Sequence, residues 1–237
     1  MSDWKAKRFW TQATVVEAGD GFTVHLDGRP IKTPAKAPLI VPTRPMAQAI
    51  AVEWDAQVGE IDPHAMPVTR SANAAIDKVA LQHGEVADMI AEYGDSDLLC
   101  YRAPSPQELV ERQALLWDPL LEWAADTLGA RLQTAAGVIH VPQDPVALKR
   151  LSDRVHALDS FALAAFHDLV SLSGSLVLGF AAQMDHLPAD EIWQLSRLDE
   201  LWQIEQWGVD DDAATLAEAK RLAFLHAKTF HDLSQPL

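Results

Sequence analysis

Apolar spacing changes character at Gln82-His83-Gly84, and that change constrains the fold of this 237-residue chain more than any other feature. Before it, period-two alternation and turn punctuation predict strands. After it, nearly every segment repeats with the 3.6-residue period of a helix. Asp27-Gly28 is the strongest hairpin signal in the chain, with Phe22, Val24 and Leu26 alternating before it and residues 31–33 returning after it. Residues 11–16, rich in β-branched side chains, give another strand. Residues 39–41, bracketed by Pro38 and Pro42, give a further short one, so a small twisted antiparallel sheet with proline-guarded edges is expected.

Such a sheet needs a covering layer. A helix starting near Pro45 supplies it, with Met46, Ile50, Trp54 and Val58 at helical spacing, and a second helix is predicted over 69–81. The fold class is therefore α+β: a small N-terminal β-rich domain, 1–83, made of an antiparallel sheet with covering helices, plus a larger all-helical C-terminal domain, 84–237. In the second part the periodicity predicts helices at 85–93, 107–128, 145–158, 161–172, 176–184, 189–207 and 211–233, with extended pieces near 98–101 and 138–141. The longest apolar run, LVSLSGSLVLGFAA (169–182), is shorter than the ~20 residues that cross a bilayer. It reads as a buried helix pair, Ser173, Gly174 and Ser175 allowing a break or a close approach.

Charge narrows the partners. Asp and Glu outnumber Lys and Arg by 34 to 19, a net charge of −15. The phosphate neutralisation on which nucleic-acid affinity rests is then hard to supply, and anionic membrane surfaces are equally poor partners. The single cysteine, Cys100, cannot form an internal disulfide, which fits a reducing compartment. The opening MSDWKAKRFW has neither the apolar core of a signal peptide nor the Arg/Ser-rich, acid-free character of a transit peptide, so a cytoplasmic location is expected.

Motifs that would carry chemistry are missing. No G-x-x-x-x-G-K-[ST] loop and no G-x-G-x-x-G turn occurs, so no nucleotide cofactor is expected. Ser173-Gly174-Ser175 lacks the G-x-S-x-G elbow of a hydrolase and lies in an apolar helical stretch. The histidines are scattered. His226 and His231, five apart, stand about 140° from each other around a helix and do not chelate a metal together. Asp210-Asp211-Asp212 lacks the alternating ligands of a calcium loop and reads as the N-terminal cap of the helix that follows. No metal site is expected.

Eight tryptophans are many for this length. Most serve as core anchors, since each removes about 150–250 Å² from water, but a surface subset would suit a protein partner. The segment ADEIWQLSRLDELWQIEQWG (189–208) is the clearest case. Ile192, Leu195, Leu198, Leu201 and Trp202 form an apolar stripe, while Asp199, Gln203 and Gln206 fall at i, i+4 and i+7 on a polar one flanked by Glu200 and Trp207. One side docks and the other is presented, with Gly208 as the stop.

Taken together, Phe9-Trp10, LDGRPIKTP (26–34), AIAVEWDAQ (49–57), IDPHAMPVTRSANAAID (61–77), YGDSDLLCYRA (93–103) and RLDELWQIEQWG (197–208) resemble the ATP synthase assembly chaperones that bind the free alpha subunit of the F1-ATPase. The resemblance runs over nearly the whole chain. It implies a β-rich domain followed by a helical one, no cofactor and no enzymatic activity. It also implies a family that is mitochondrial in eukaryotes, and a partner, the alpha subunit, shielded until the beta subunit displaces it. Functionally sensitive positions of the family map onto Trp54 in the motif Glu53-Trp54-Asp55-Ala56-Gln57, and onto Asp199 and Glu200. Members commonly carry Glu where this chain has Asp199, so the charge is kept with a shorter reach. On the residues alone two other readings remain open: a small-molecule hydrolase with a site in an interdomain cleft, and a generic protein-binding adaptor.

Overall fold

The computed structural model describes residues 7–236; residues 1–6, most of the MSDWKAKRFW opening read above, lie outside it. Strands β1 (Ala13–Ala18), β2 (Gly21–Leu26) and β3 (Arg29–Pro30) form an antiparallel sheet in sequence order, with Ala13 opposite Leu26 and Leu26 opposite Arg29. The β2–β3 turn is the expected Asp27-Gly28. Both residues take positive φ (46° and 83°), the mirror-image turn that matches strand twist. Asp27 does more than turn, because its carboxylate accepts from Thr11 N at 2.9 Å and Gln12 N at 3.0 Å. Those backbone donors hold it below the usual carboxylate range. Residues 39–41 do not form a fourth strand. They meet β2 through one bridge, Phe22 to Val41, and through Thr23 Oγ1, which donates to Leu39 O at 2.7 Å. That bond buries Thr23, so the inward face of β2 is not a clean alternation.

Helix α1 (Arg44–Asp55) lies over the sheet with Met46, Ala47, Ile50 and Ala51 buried, and α2 (Pro67–Asp77) adds Val68, Ala72 and Ala75. Val58 lies beyond α1 and is 89% exposed, so the expected apolar stripe ends at Trp54. Thr43 caps α1 by accepting from Met46 N, and its hydroxyl also donates to Leu233 O. The described residues divide into two compact units. Those up to His83, with Asp159–Ala165 and those from Thr229 onward, form one; Gly84–Leu158 and Phe166–Lys228 form the other. The core of the first unit gathers Trp10, Val24, Leu26, Met46, Ile50 and Phe230.

The remaining helices are α3 (His83–Ala91), α4 (Gln107–Trp123), α5 (Pro145–His156), α6 (Ser160–Ser173), α7 (Leu176–Gln183), α8 (Ala189–Ser196), α9 (Leu198–Trp207) and α10 (Asp211–Ser234). A two-residue parallel pair, β4 (Tyr101–Arg102) and β5 (Ala135–Ala136), replaces the expected extended pieces. Val138 and Ile139 stand in solvent, 93% and 79% exposed. The apolar run is a helix pair as expected, broken at Gly174 with φ of 72°. The close approach lies elsewhere: a Cβ on Gly179 would come within 2.5 Å of Val170 Cγ2, so α7 packs on α6 through Gly179. None of the helices formed by the described residues is long and apolar enough to cross a membrane. The molecule is thus an α+β protein with a small N-terminal antiparallel sheet and a larger helical part.

The late segment is not one helix. Arg197 leaves helical geometry (φ −109°, ψ 18°) and separates α8 from α9. At this point the indole Nε1 of buried Trp117 donates to Leu195 O at 2.9 Å. In a continuous helix that carbonyl would accept from the N–H of Asp199.

Candidate partner interface

Helices α8 and α9 are pinned to α4 by side chains that the local sequence does not advertise. Trp117, fully buried, holds Leu195, and Gln113, also fully buried, donates from Nε2 to Asp199 Oδ1 at 2.7 Å. One residue earlier, Arg112 reaches both carboxylate oxygens of Glu205 at 2.8 Å and lies 4.7 Å over the Trp202 ring. The pairing pulls Glu205 below and pushes Arg112 above their ordinary ranges. Both groups are exposed, so this pair orients α9 more than it stabilises the fold. On the far side Trp193 packs on Phe224 with ring centroids 5.7 Å apart. Trp193 belongs to the buried stripe with Ile192 and Leu198, whereas Leu195, Leu201 and Trp202 are only half-buried.

This anchoring sorts the polar face. Asp199 is half-buried and engaged with Gln113, while Glu200, Gln203, Gln206 and Trp207 are exposed, Trp207 by 79%. Positions 200, 203 and 207 lie at i, i+3 and i+7, so they share one face of α9. Gly208 (φ 91°) ends α9, and its N–H closes on Ile204 O at 2.9 Å. Asp210 then caps α10, its Oδ1 accepting from Ala213 N at 2.8 Å, which is the role read from the Asp triplet.

The residues of the Glu53-to-Gln57 motif lie in the other unit and organise backbone. Helix α2 has no capping side chain of its own, and Glu53 supplies one from α1. Its carboxylate accepts from Val68 N at 2.6 Å, Thr69 N at 2.8 Å and Thr69 Oγ1 at 2.6 Å. Gln57 donates to Glu53 O at 3.1 Å and accepts from Asp62 N at 2.7 Å, fixing the α1–α2 connection. Asp55 accepts from Ala13 N at 2.9 Å, tying α1 to the start of β1. Trp54 stacks edge-on against Trp10 with centroids 5.2 Å apart. Blocks 49–57 and 61–77 thus meet through Glu53 and Gln57, and Leu26 and Ile31 of block 26–34 share a core with Ile50, Val68 and Ala72. Asp77 also accepts from Ala35 N at 3.1 Å, just past that block.

In the 93–103 block, Asp97 is fully buried. It accepts from Ser175 Oγ at 2.7 Å, Val177 N at 3.0 Å and Leu99 N at 3.0 Å, fixing the 98–100 turn to the start of α7. Asp95 accepts from Gln143 N at 2.8 Å and lies 3.2 Å from His140 Nε2; His140 Nδ1 is 3.2 Å from Tyr101 Oη. Burial pushes the Cys100 thiol up to about 12. The Ser173 hydroxyl donates to Leu169 O at 2.6 Å. Among the described residues, no three His, Cys, Asp or Glu side chains gather as a metal site requires.

The chain is similar to known proteins over nearly its whole length. Residues 7–125 match the family model described as ATP12 chaperone protein. The structure of Atp12 from Paracoccus denitrificans superposes with a TM-score of 0.96 at 48% identity, covering 98% of this chain and all of that one. A chaperone candidate from Agrobacterium tumefaciens superposes at 0.90 with 42% identity, over 96% of this chain and 85% of its own. The mitochondrial protein atp12 of Schizosaccharomyces pombe is 29% identical over 220 residues, 87% of this chain and 75% of that protein. The chain belongs to the ATP12 chaperone family, the F1-ATPase assembly chaperones that its sequence blocks resemble.

Proposed function

We propose that this protein is an ATP-independent, non-enzymatic chaperone that binds the free alpha subunit of the ATP synthase F1 sector in the cytoplasm and covers its subunit-interface surface until the beta subunit displaces it. Family membership supports this reading, and one observation carries it: a single exposed helix face bears Glu200, Gln203 and Trp207, with Gln206 beside them. An orphaned subunit exposes apolar surface that leads to aggregation. A tryptophan among amides and a carboxylate can anchor on such a surface while the charge sets register and rejects wrong partners. Asp199, held by Gln113, fixes the azimuth of that face. Release requires competition by the beta subunit and no bond cleavage.

The test is reconstitution. Isolated alpha subunit should stay soluble with equimolar chaperone and precipitate without it, and added beta subunit should free the chaperone into solution. Alpha subunit that aggregates equally with and without the chain would overturn the reading.

A further inference from the structure

The first turns of α10 pack against little within the chain. Across residues 211–220 every side chain except the half-buried Ala217 is exposed, yet Ala213, Ala214, Leu216 and Ala217 lie together along one wall of a groove. A helix half with an uncovered apolar strip is marginal alone, because packing of such a face supplies most helical stability in proteins. The facing wall comes from α9 through Leu201, Ile204 and Trp207, and Val209 closes the corner, enclosing about 630 Å³. Trp207, Val209 and Leu216 are 79%, 65% and 58% exposed.

The rim has a sign. Glu200, Asp210 and Glu218 line it, and Asp211 and Asp212 follow at the start of α10. Arg197, Lys220 and Arg221 also line its walls. Lys220 is exposed, whereas Arg221 is held by Glu218 at 2.8 Å and Asp190 at 2.7 Å. Arg197 lies over Trp193 and 4.0 Å from Glu200.

We propose that the α9–α10 groove seats a helical segment of the partner protein that is apolar on one face and flanked by Lys or Arg. Trp207 and Leu216 grip its apolar face, and the carboxylates at positions 210–212 pair with its cations. A third helix laid between two splayed ones completes a three-helix packing, a recurrent mode of peptide recognition. A second copy of this chain is the wrong occupant, because two chains of −15 would bring like-charged rims together. The identity of the partner as the alpha subunit rests on the function proposed above; the chemistry of the occupant does not.

Two probes separate those ideas: isolated F1 alpha subunit, and a synthetic helical peptide with leucines at i, i+3, i+4 and i+7 between terminal lysines. Leu216→Glu and Trp207→Ala, both at exposed positions, should each weaken binding of either probe by about tenfold or more. Val138→Glu, on another exposed apolar residue, should bind within about twofold of the unmodified protein. Backbone amides 211–221 should exchange more slowly in the complex. Peptide bound at the groove with no alpha binding would sink the alpha reading and keep this one. Unaltered binding of both probes by the two groove variants would overturn the groove. So would self-association of the chain that Leu216→Glu abolishes, since the occupant would then be a second copy.

Discussion

The side-chain amide of Gln113, buried on α4, donates to Asp199 Oδ1 on α9 at 2.7 Å while its own oxygen accepts from Ala103 N at 2.8 Å. Asp199 is therefore a positioned carboxylate, and Glu200 beside it is the one whose side chain is largely in solvent. The two should respond differently to substitution. Gln113→Ala strands a backbone N–H and a half-buried carboxylate, and should cost about 1–3 kcal/mol. Asp199→Asn keeps an acceptor for Gln113 and should leave the urea midpoint nearly unchanged. Glu200→Lys should likewise fold normally but weaken alpha binding and reverse its salt dependence. Urea unfolding paired with a binding titration at two salt concentrations checks all three.

Glu53 caps a helix that cannot cap itself. Three donors at 2.6–2.8 Å converge on its carboxylate, two of them backbone N–H groups at the first turn of α2. Glu53→Ala should destabilise by about 2 kcal/mol, the range for hydrogen bonds to a charged group. Glu53→Gln, keeping one acceptor oxygen, should recover about half. Amide exchange at Val68 and Thr69 should accelerate in Glu53→Ala well before global unfolding, which distinguishes a lost cap from a general loss of packing.

Trp54 joins α1 to the unit core through Trp10, and Asp55 next to it ties the same helix end to β1. Trp54→Arg removes the aromatic contact and places a guanidinium against Trp10, whose ring already has Arg8 5.4 Å from its centroid. The expected loss is about 3 kcal/mol or more, large beside a domain stability of about 5–15 kcal/mol. Trp54→Phe should lose less than half of that. Thermal unfolding monitored by near-ultraviolet circular dichroism reads both, because the Trp10–Trp54 pair contributes to that signal.

Local signals were legible in the sequence and distant ones were not. Asp27-Gly28 announced its hairpin, Ser173-Gly174-Ser175 its helix break, and Asp210 its cap, because each acts within four residues of itself. The break at Arg197 carried no glycine or proline to mark it. It accompanies a bond between Trp117 and Leu195, 78 residues apart. Periodicity likewise drew Val58 into a stripe that α1 does not reach, and gave Asp199 the same exposure as Gln203. It could not see Gln113, 86 residues upstream, turning that carboxylate inward. The late polar face was readable as a face; which of its members are free was decided by α4.

Cys100 shows how burial silences a reactive group. Desolvation, with Asp97 nearby, pushes its thiol up to about 12, so almost no thiolate exists at pH 8. Iodoacetamide at pH 8 should leave the native protein unlabelled over hours and label it within minutes in 8 M urea. Rapid labelling under native conditions would mean that the 98–100 turn opens readily.

Asp97 gives the pH dependence a definite sign. Burial raises its carboxyl above the ordinary 3.8, although the donors from Val177, Ser175 and Leu99 oppose that rise. A carboxyl with a raised folded value holds its proton in the native state while the unfolded chain has already released it. Stability from this group is then greatest at low pH and falls as pH climbs from 3.8 through the folded value, levelling off above it. Asp97→Asn removes the titration and also replaces one acceptor of the backbone pair with a donor. Subtracting the urea stability of Asp97→Asn from that of the unmodified protein cancels the other titrating groups. The difference should be most positive near pH 4 and shrink toward neutrality. A difference that instead grows with pH would mean that the donors outweigh desolvation and that Asp97 is ionised in the fold.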